Sequence, residues 1–176
     1  MKRNNHRNCI ANRPTGRSIV STTKTHRSMV SQTEIKQVIL DILQSNNAIT
    51  IATTGGEYSP WVLGAYFASN DLTIYLMLEV AGKTMANLRK NQSVAIQISQ
   101  NDAMKDFLQA YGTATVLPES EREKVMGMLQ TKMPWYQLYT PCLPVRLDMK
   151  KWFVTSLSRQ WLPARVLEAE TVTAEP

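Results

Sequence analysis

The stretch Leu72–Ile98, LTIYLMLEVAGKTMANLRKNQSVAIQI, decides the fold of this chain. An apolar β-type run, Leu72–Leu78, ends at a polar loop, and a second β-type run begins at Val94. Between them the sequence predicts a short helix over Met85–Lys90. Lys83 therefore lies at the mouth between two strands, where its ammonium and the N–H groups of a helix start favour an anion such as phosphate.

Gly82-Lys83-Thr84 is also the last part of the nucleotide-binding P-loop, but the rest of that motif is missing. A P-loop requires another glycine five residues before its second one, and Met77 occupies that position here. The sequence therefore argues against a P-loop. Two interpretations of Lys83 stay open on the local pattern alone, a phosphate ligand and an ordinary solvated loop lysine.

The composition indicates one domain without a membrane span. The chain has 176 residues and a hydrophobic content of 43%, which is enough for one core. No apolar run approaches the roughly 18–20 residues that cross a bilayer. Cys9 and Cys142 belong to no CxxC or histidine-rich cluster, so neither a disulfide framework nor a metal site is predicted. His6 and His26 both lie near the N-terminus, which argues against a histidine base in the folded domain.

The net charge of +6 belongs to the N-terminus. Residues 1–33 contain seven of the 20 basic residues and none of the 14 acidic ones, so the remainder, with 13 basic residues, carries a charge of about −1. A nucleic-acid-binding domain more often has a basic face with aromatic residues among the charges, so this class is disfavoured. A nucleic-acid-associated protein that acts through the basic tail is kept as a third hypothesis for the function.

The expected organisation is a basic, disordered tail over residues 1–30, a domain over 31–167 and a C-terminal tail over 168–176. Residues 1–30 contain no apolar h-region, so no secretory signal is predicted and a cytoplasmic location is expected. An organelle transit peptide, which shares this Arg- and Ser-rich composition, and a translation start at Met29 are the alternatives.

A capped helix is predicted to open the domain. Ser31 and Glu34 have the spacing of a capping box, and apolar residues follow at helical intervals as far as Leu43, so the helix is expected to end near Ser45. A second long helix is predicted from Pro118 to about Gln130, and a loop over Pro134–Pro144.

Short β-type runs fill the rest of the domain, and Ser69-Asn70-Asp71 supplies a turn between two of them. Gly112 is predicted to be a bulge or bend. Because most of the connections are tight turns, an antiparallel sheet of five to seven strands that closes partly or fully into a barrel is favoured. The runs are Ala48–Thr53, Trp61–Ala68, Leu72–Leu78, Val94–Ser99, Phe107–Leu117 and Val145–Thr155, with a further segment at Trp161–Leu167.

Three local patterns, in this order, resemble the flavin-binding split-barrel family, whose best-known members are similar to pyridoxamine 5'-phosphate oxidase. The first pattern is Ile49–Thr53 (ITIAT) followed by Tyr58–Val62 (YSPWV). The second and most specific is Gly82–Asn91 (GKTMANLRKN), and the third is Tyr111–Val116 (YGTATV).

The resemblance implies a mainly β domain with flanking helices, folded as an antiparallel split β-barrel of the kind that binds flavin mononucleotide (FMN). It also implies a homodimer with the flavin at the dimer interface. By position, Lys83 would contact the flavin phosphate, Thr84 would supply a hydroxyl and the strand from Trp61 would run along the flavin ring. For the aromatic residues, core packing is the alternative. The residues assigned to the cofactor are Trp61, Val62, Tyr66, Gly82, Lys83, Thr84 and Arg89.

Two departures from the family pattern bear on the phosphate. Ala81 stands where serine is typical and Gly82 where arginine is frequent. With Lys83 as the one matched cation, we expect weaker binding or the use of a second cation. The candidates are Arg89, Arg146, Lys150 and Lys151, for which plain surface charge is the alternative.

The predicted function is that of an FMN-binding oxidoreductase-like protein with an unknown substrate other than pyridoxamine phosphate. No side chain is an evident acid or base for such a reaction. The alternative is a non-catalytic module that binds a flavin-like ligand or haem on the same barrel.

Overall fold

The computed structural model describes residues 30–100, 102 and 104–169, so most of the predicted N-terminal tail lies outside the described residues. The described residues form three α-helices, eight β-strands and one short 3₁₀ helix, Glu119–Glu121. The helices are α1 (Gln32–Ser45), α2 (Lys83–Leu88) and α3 (Arg122–Lys132). The strands are β1 (Ala48–Thr53), β2 (Trp61–Tyr66), β3 (Ala68–Asn70), β4 (Thr73–Glu79), β5 (Ser93–Ile98), β6 (Phe107–Val116), β7 (Cys142–Ser156) and β8 (Trp161–Glu168).

Helix α1 begins where the capping signal predicts. The Ser31 hydroxyl accepts a hydrogen bond from the Glu34 backbone N–H at 3.1 Å, an arrangement worth about 1 kcal/mol. The apolar residues at helical spacing are all buried, so one face of the helix covers the barrel interior. They are Ile35, Val38, Ile39, Ile42 and Leu43.

All the strand pairs are antiparallel, and the sheet has the order β2-β1-β5-β6-β7-β4-β3, with β8 paired to β7. The long strand β7 pairs with β6 along most of its length, with β4 through its first half and with β8 through its second half. The sheet curls into a half-barrel flanked by the helices. The predicted fold class, a mainly β split barrel, is therefore confirmed.

Gly112 is the bulge that the sequence predicts. The register between β6 and β7 shifts between Tyr111 and Gly112. A Cβ atom at Gly112 would lie 2.1 Å from the Asp148 carbonyl oxygen, so only glycine permits this approach of the two backbones.

Two predicted element boundaries in the first half of the chain are wrong. The run Trp61–Ala68 is two strands, because the chain bends at Phe67, whose ring is fully buried and whose N–H donates to the Asn47 carbonyl at 3.1 Å. This division helps to raise the strand count to eight instead of five to seven. The turn that follows is at Asp71, with φ of 50°, so Ser69 and Asn70 belong to a strand.

Two further boundaries depend on contacts between distant segments. Cys142–Pro144 pairs with Leu78 and its neighbours at the end of β4, so these residues open β7 instead of ending a loop. Tertiary pairing thereby overrides the loop signal of the prolines. Helix α2 begins at Lys83, with Gly82 as its N-cap, and not at Met85.

The core has two parts. The larger cluster fills the half-barrel beneath α1 and includes the fully buried Trp152. The smaller cluster lies between α3 and the strands β3 and β4, where Val125 and Leu129 meet Met77. Strand β4 is thus buried on both faces. This packing fixes the position of the end of β4, which lies next to Lys83. Within the described residues, no helix is long and apolar enough to cross a membrane.

Candidate functional site

A cavity of about 330 Å³ lies in the split between β2 and β4, next to the start of α2. Strand β2 is at one end of the sheet path and β4 pairs with β3 and β7, so the two strands face each other without forming a ladder in the described structure. The walls combine aromatic, aliphatic, charged and hydroxyl groups. They are formed by Trp61, Leu63, Leu78, Glu79, Ala81, Gly82, Lys83 and Thr84.

Lys83, the first residue of α2, places its ammonium against two aromatic rings. The Nζ atom lies 4.2 Å from the centroid of the Trp61 ring and 4.9 Å from that of Tyr58. Contacts of this kind stabilise a cation by about 0.5–1 kcal/mol at exposed positions. The two rings therefore hold the positive charge beside the cavity.

Thr84 follows in the cavity wall and is 3% exposed. Its hydroxyl oxygen is buried and has no hydrogen-bond partner in the described part of the chain. A buried hydroxyl without a partner costs about 1–3 kcal/mol. Such a group beside a cavity indicates a place where a ligand atom can complete the hydrogen bonding.

Asn87 holds the loop that carries Tyr58. The Asn87 side chain is fully buried, and its Nδ2 donates to the Thr53 hydroxyl at 3.1 Å and to the Tyr58 carbonyl at 3.0 Å. Gly56 packs directly on it, since a Cβ at Gly56 would lie 2.1 Å from Asn87 Oδ1. Asn87 belongs to the Gly82–Asn91 motif, but the sequence alone assigned no role to its side chain. Its position inside a short helix, which asparagine disfavours, was the available signal.

Glu79 brings a negative charge to the same cavity. It ends β4 and is exposed, and its Oε2 lies 3.7 Å from the position of a Cβ atom at Gly82. The Gly82 N–H donates to the Glu79 carbonyl at 3.1 Å, and this turn brings the carboxylate over Gly82. The place of Glu79 at the cavity was not predicted. The strand pattern does not show that the chain turns back at this point and brings the carboxylate to the cavity wall.

The structure brings four of the seven predicted cofactor residues together, namely Trp61, Gly82, Lys83 and Thr84. Val62 and Tyr66 alternate with Trp61 along β2 and point to the other face of the sheet. There Tyr66 packs edge-on against Trp135, with centroids 5.1 Å apart.

Arg89 and the other candidate cations lie elsewhere. The Arg89 guanidinium donates to the Val80 carbonyl at 3.4 Å and does not line the cavity. Arg146 pairs with Asp148 at 2.8 Å, and Lys151 pairs with Glu168 at 2.6 Å. Among the described residues, the cavity wall thus has one cation, Lys83, and one carboxylate, Glu79.

These residues fit a planar aromatic group that carries hydrogen-bond acceptors, as a flavin does. Trp61 supplies a ring, Leu63 and Leu78 supply apolar surface, and the unpaired hydroxyl of Thr84 and the ammonium of Lys83 supply donors. The charge of the wall is less favourable to a phosphate dianion, since the carboxylate of Glu79 offsets Lys83.

A family model described as pyridoxamine 5'-phosphate oxidase matches residues 35–139, more than half of the chain. No curated protein is similar enough in sequence to count as a match.

Several solved structures share the fold. One is described as a putative pyridoxamine 5'-phosphate oxidase from Listeria innocua, with a TM-score of 0.58 and 19% identity, covering 69% of this chain and 98% of the other. A putative 5-nitroimidazole antibiotic resistance protein from Bacteroides thetaiotaomicron has a TM-score of 0.57 and 16% identity, with coverages of 68% and 82%. The heme storage protein HutZ from Vibrio cholerae has a TM-score of 0.57 and 18% identity, with coverages of 69% and 96%.

These similarities to solved structures show the fold, and the match to the family model shows the family. The family model spans α1 from residue 35 onward, the cavity wall and the Lys83 segment. The chain belongs to the pyridoxamine 5'-phosphate oxidase family.

Proposed function

We propose that this protein binds FMN in the cavity between β2 and β4 and acts as a flavin-dependent oxidoreductase. The observation that carries the proposal is the meeting of Lys83, Trp61 and the unpaired Thr84 hydroxyl at one cavity. A bound flavin supplies hydride transfer, and the protein supplies binding and orientation.

Each wall residue has a role in this proposal. Lys83 donates a charge-assisted hydrogen bond to the flavin phosphate, and Thr84 provides a second donor. Trp61 and Leu63 pack against the ligand from β2, and Leu78 excludes water from the β4 side.

A homodimer is part of the proposal, and the outer face of the sheet supports it. Strand register places twelve residues of β1, β2, β5 and β6 on that face, and none of them is charged. A patch of uncharged side chains across four strands is typical of a protein interface. The residues are Ala48, Thr50, Ala52, Val62, Gly64, Tyr66, Ser93, Ala95, Gln97, Gln109, Tyr111 and Thr113.

The dimer is tested by a charge at the centre of this outer face. Ala95 faces Ala52 and Tyr111 on the neighbouring strands. The variant Ala95→Glu should therefore be monomeric, as measured by light scattering after size-exclusion chromatography. Gln44→Glu, on exposed α1, is the matched control and should stay dimeric. A monomeric wild-type protein would refute the dimer.

The flavin proposal is tested by spectroscopy of the full chain. The purified protein should absorb in the flavin bands or bind added FMN at micromolar concentration. Lys83→Ala should weaken FMN binding about tenfold, the effect of one charged hydrogen bond. Lys90→Ala removes an exposed lysine just beyond α2 and should leave binding unchanged. A colourless protein that fails to bind added FMN would exclude the proposal.

The second candidate is a non-catalytic module that binds haem or a flavin-like ligand. The opposing charges of Lys83 and Glu79 favour a flavin-like ligand without a phosphate, because a phosphate-bearing cofactor calls for more positive charge. The related fold of a heme storage protein also supports it. Both histidines lie outside the described residues. Among the described residues, an axial ligand to haem iron would therefore be a tyrosine, a methionine or Cys142. A Soret band after expression with haem supply supports this candidate, and a flavin spectrum alone opposes it.

A further inference from the structure

We infer that Glu79 removes the preference of this site for a phosphate-bearing flavin, so that riboflavin and FMN bind with similar affinity. The inference rests on the proposed flavin site and concerns the selectivity of that site. It identifies Glu79 as a specificity-determining residue for the end of the ligand that carries the phosphate.

Glu79 lies on the cavity wall beside Gly82. Its carboxylate lines the same cavity as Lys83 and lies over Gly82, with Oε2 3.7 Å from the position of a Cβ atom there. The Glu79 main-chain oxygen lies 3.2 Å from that same position. A Cβ atom at residue 82 would be tight against this main-chain oxygen and in ordinary contact with Oε2, so the Glu79 carboxylate lies directly beside Gly82.

The charges on the cavity wall determine how strongly the site attracts a phosphate. A phosphate monoester carries about −1.5 to −2 charges near neutral pH. Lys83 attracts it and Glu79 repels it, whereas Arg89 donates to the Val80 carbonyl outside the wall. Because the described residues of the wall contribute one charge of each sign, the phosphate adds little net attraction. The aromatic and apolar walls attract the ring of riboflavin and FMN alike.

The experiment compares two ligands and two variants. Binding of riboflavin and of FMN to the full-length protein, freed of any bound flavin, is measured by flavin fluorescence quenching at low ionic strength, where charge effects are largest. In the wild type the two affinities should agree within about threefold. Glu79→Gln should tighten FMN binding about tenfold, as removal of one like charge near a dianion gives, and should change riboflavin binding much less. Glu123→Gln, on an exposed turn of α3, removes the same charge far from the cavity and should change neither.

Each outcome decides a separate point. If wild type binds FMN more than about tenfold tighter than riboflavin and Glu79→Gln changes nothing, the inference is wrong while the flavin site stands. If riboflavin binds to wild type but FMN binds only after Glu79→Gln, Glu79 excludes the phosphate instead of balancing Lys83, and the inference of similar affinities is wrong. If no flavin binds to wild type or variant, the proposed function fails and this inference fails with it.

Discussion

The ammonium nitrogen of Lys83 lies 4.2 Å from the centroid of the Trp61 ring, which joins the start of α2 to the start of β2 across the split of the barrel. The two residues are 22 positions apart in the chain. Their contact places a cation and an aromatic surface on one cavity.

Trp61→Leu should weaken flavin binding about fivefold or more, because the variant loses both the ring surface and the cation–π contact with Lys83. Trp61→Phe keeps an aromatic ring and should restore most of the affinity. Titration with FMN measures both variants. Equal affinities for Trp61→Leu and wild type would place the flavin elsewhere.

Thr84→Val should stabilise the ligand-free protein by about 1 kcal/mol, because it replaces a buried, unpaired hydroxyl with a methyl group of similar shape. The same variant should bind FMN more weakly, since the hydroxyl is no longer available to the ligand. Urea unfolding and FMN titration give the two readings. A large loss of stability would mean that the hydroxyl already has a partner in the protein.

Asn87→Ala should destabilise the protein by about 2–3 kcal/mol and loosen the loop at residues 54–60. The variant leaves the Tyr58 carbonyl and the Thr53 hydroxyl without their buried donor. The control is Asn91→Ala, whose side chain donates to Thr54 at an exposed position and should matter much less. Urea unfolding and amide hydrogen exchange of the loop measure the difference. Equal losses in the two variants would show that Asn87 is not the anchor.

Gly56→Ala should destabilise the protein, because the new methyl group would lie 2.1 Å from Asn87 Oδ1 and 3.1 Å from its Cα. Gly127→Ala is the opposite case, since its Cβ, on helix α3, meets no atom within 4 Å. That change should raise stability by up to about 1 kcal/mol through helix propensity. Thermal unfolding of both variants provides the test, and a shift of the same sign in both would contradict it.

Lys132 links α3 to the end of α1. Its Nζ donates to the Leu43 carbonyl at 2.8 Å and to the Asn46 carbonyl at 2.5 Å, and it lies 3.8 Å from the centroid of the Phe67 ring. Burial lowers the pKa of Lys132 from 10.5 to about 8. The folded protein therefore holds this proton less tightly than the unfolded chain does.

The pH dependence of stability follows from this difference. Above pH 8 the unfolded state binds more protons at Lys132 than the folded state, so this residue raises the free energy of unfolding as the pH rises toward 10.5. Burial also raises the pKa of Tyr136 from 10 to about 12, so measurements are best kept below pH 10. There, the stability of wild type relative to Lys132→Met should increase with pH in urea unfolding. A constant or falling difference would contradict the assignment.

The sequence predicted the parts of the fold that local chemistry controls. The Ser31 cap and the apolar spacing gave the correct start and buried face of α1, because capping and helical periodicity act within a few residues. The bulge at Gly112 was predicted for the same reason, a glycine inside an otherwise regular strand. The motif around Lys83 indicated the family, and the family model bears this out.

Long-range packing decided the rest. Cys142–Pro144 became strand because β4 pairs with it, and the run from Trp61 divided because Phe67 is drawn into the core. No local pattern encodes either contact.

By itself, the sequence determined the split-barrel class and the position of Lys83 close to a helix start between two strands. Only the tertiary structure decided which groups surround that lysine: the Trp61 ring, the unpaired hydroxyl of Thr84 and the carboxylate of Glu79. The physical reason is that charge, burial and hydrogen-bond satisfaction depend on distances in space, which the order of residues along the chain does not specify.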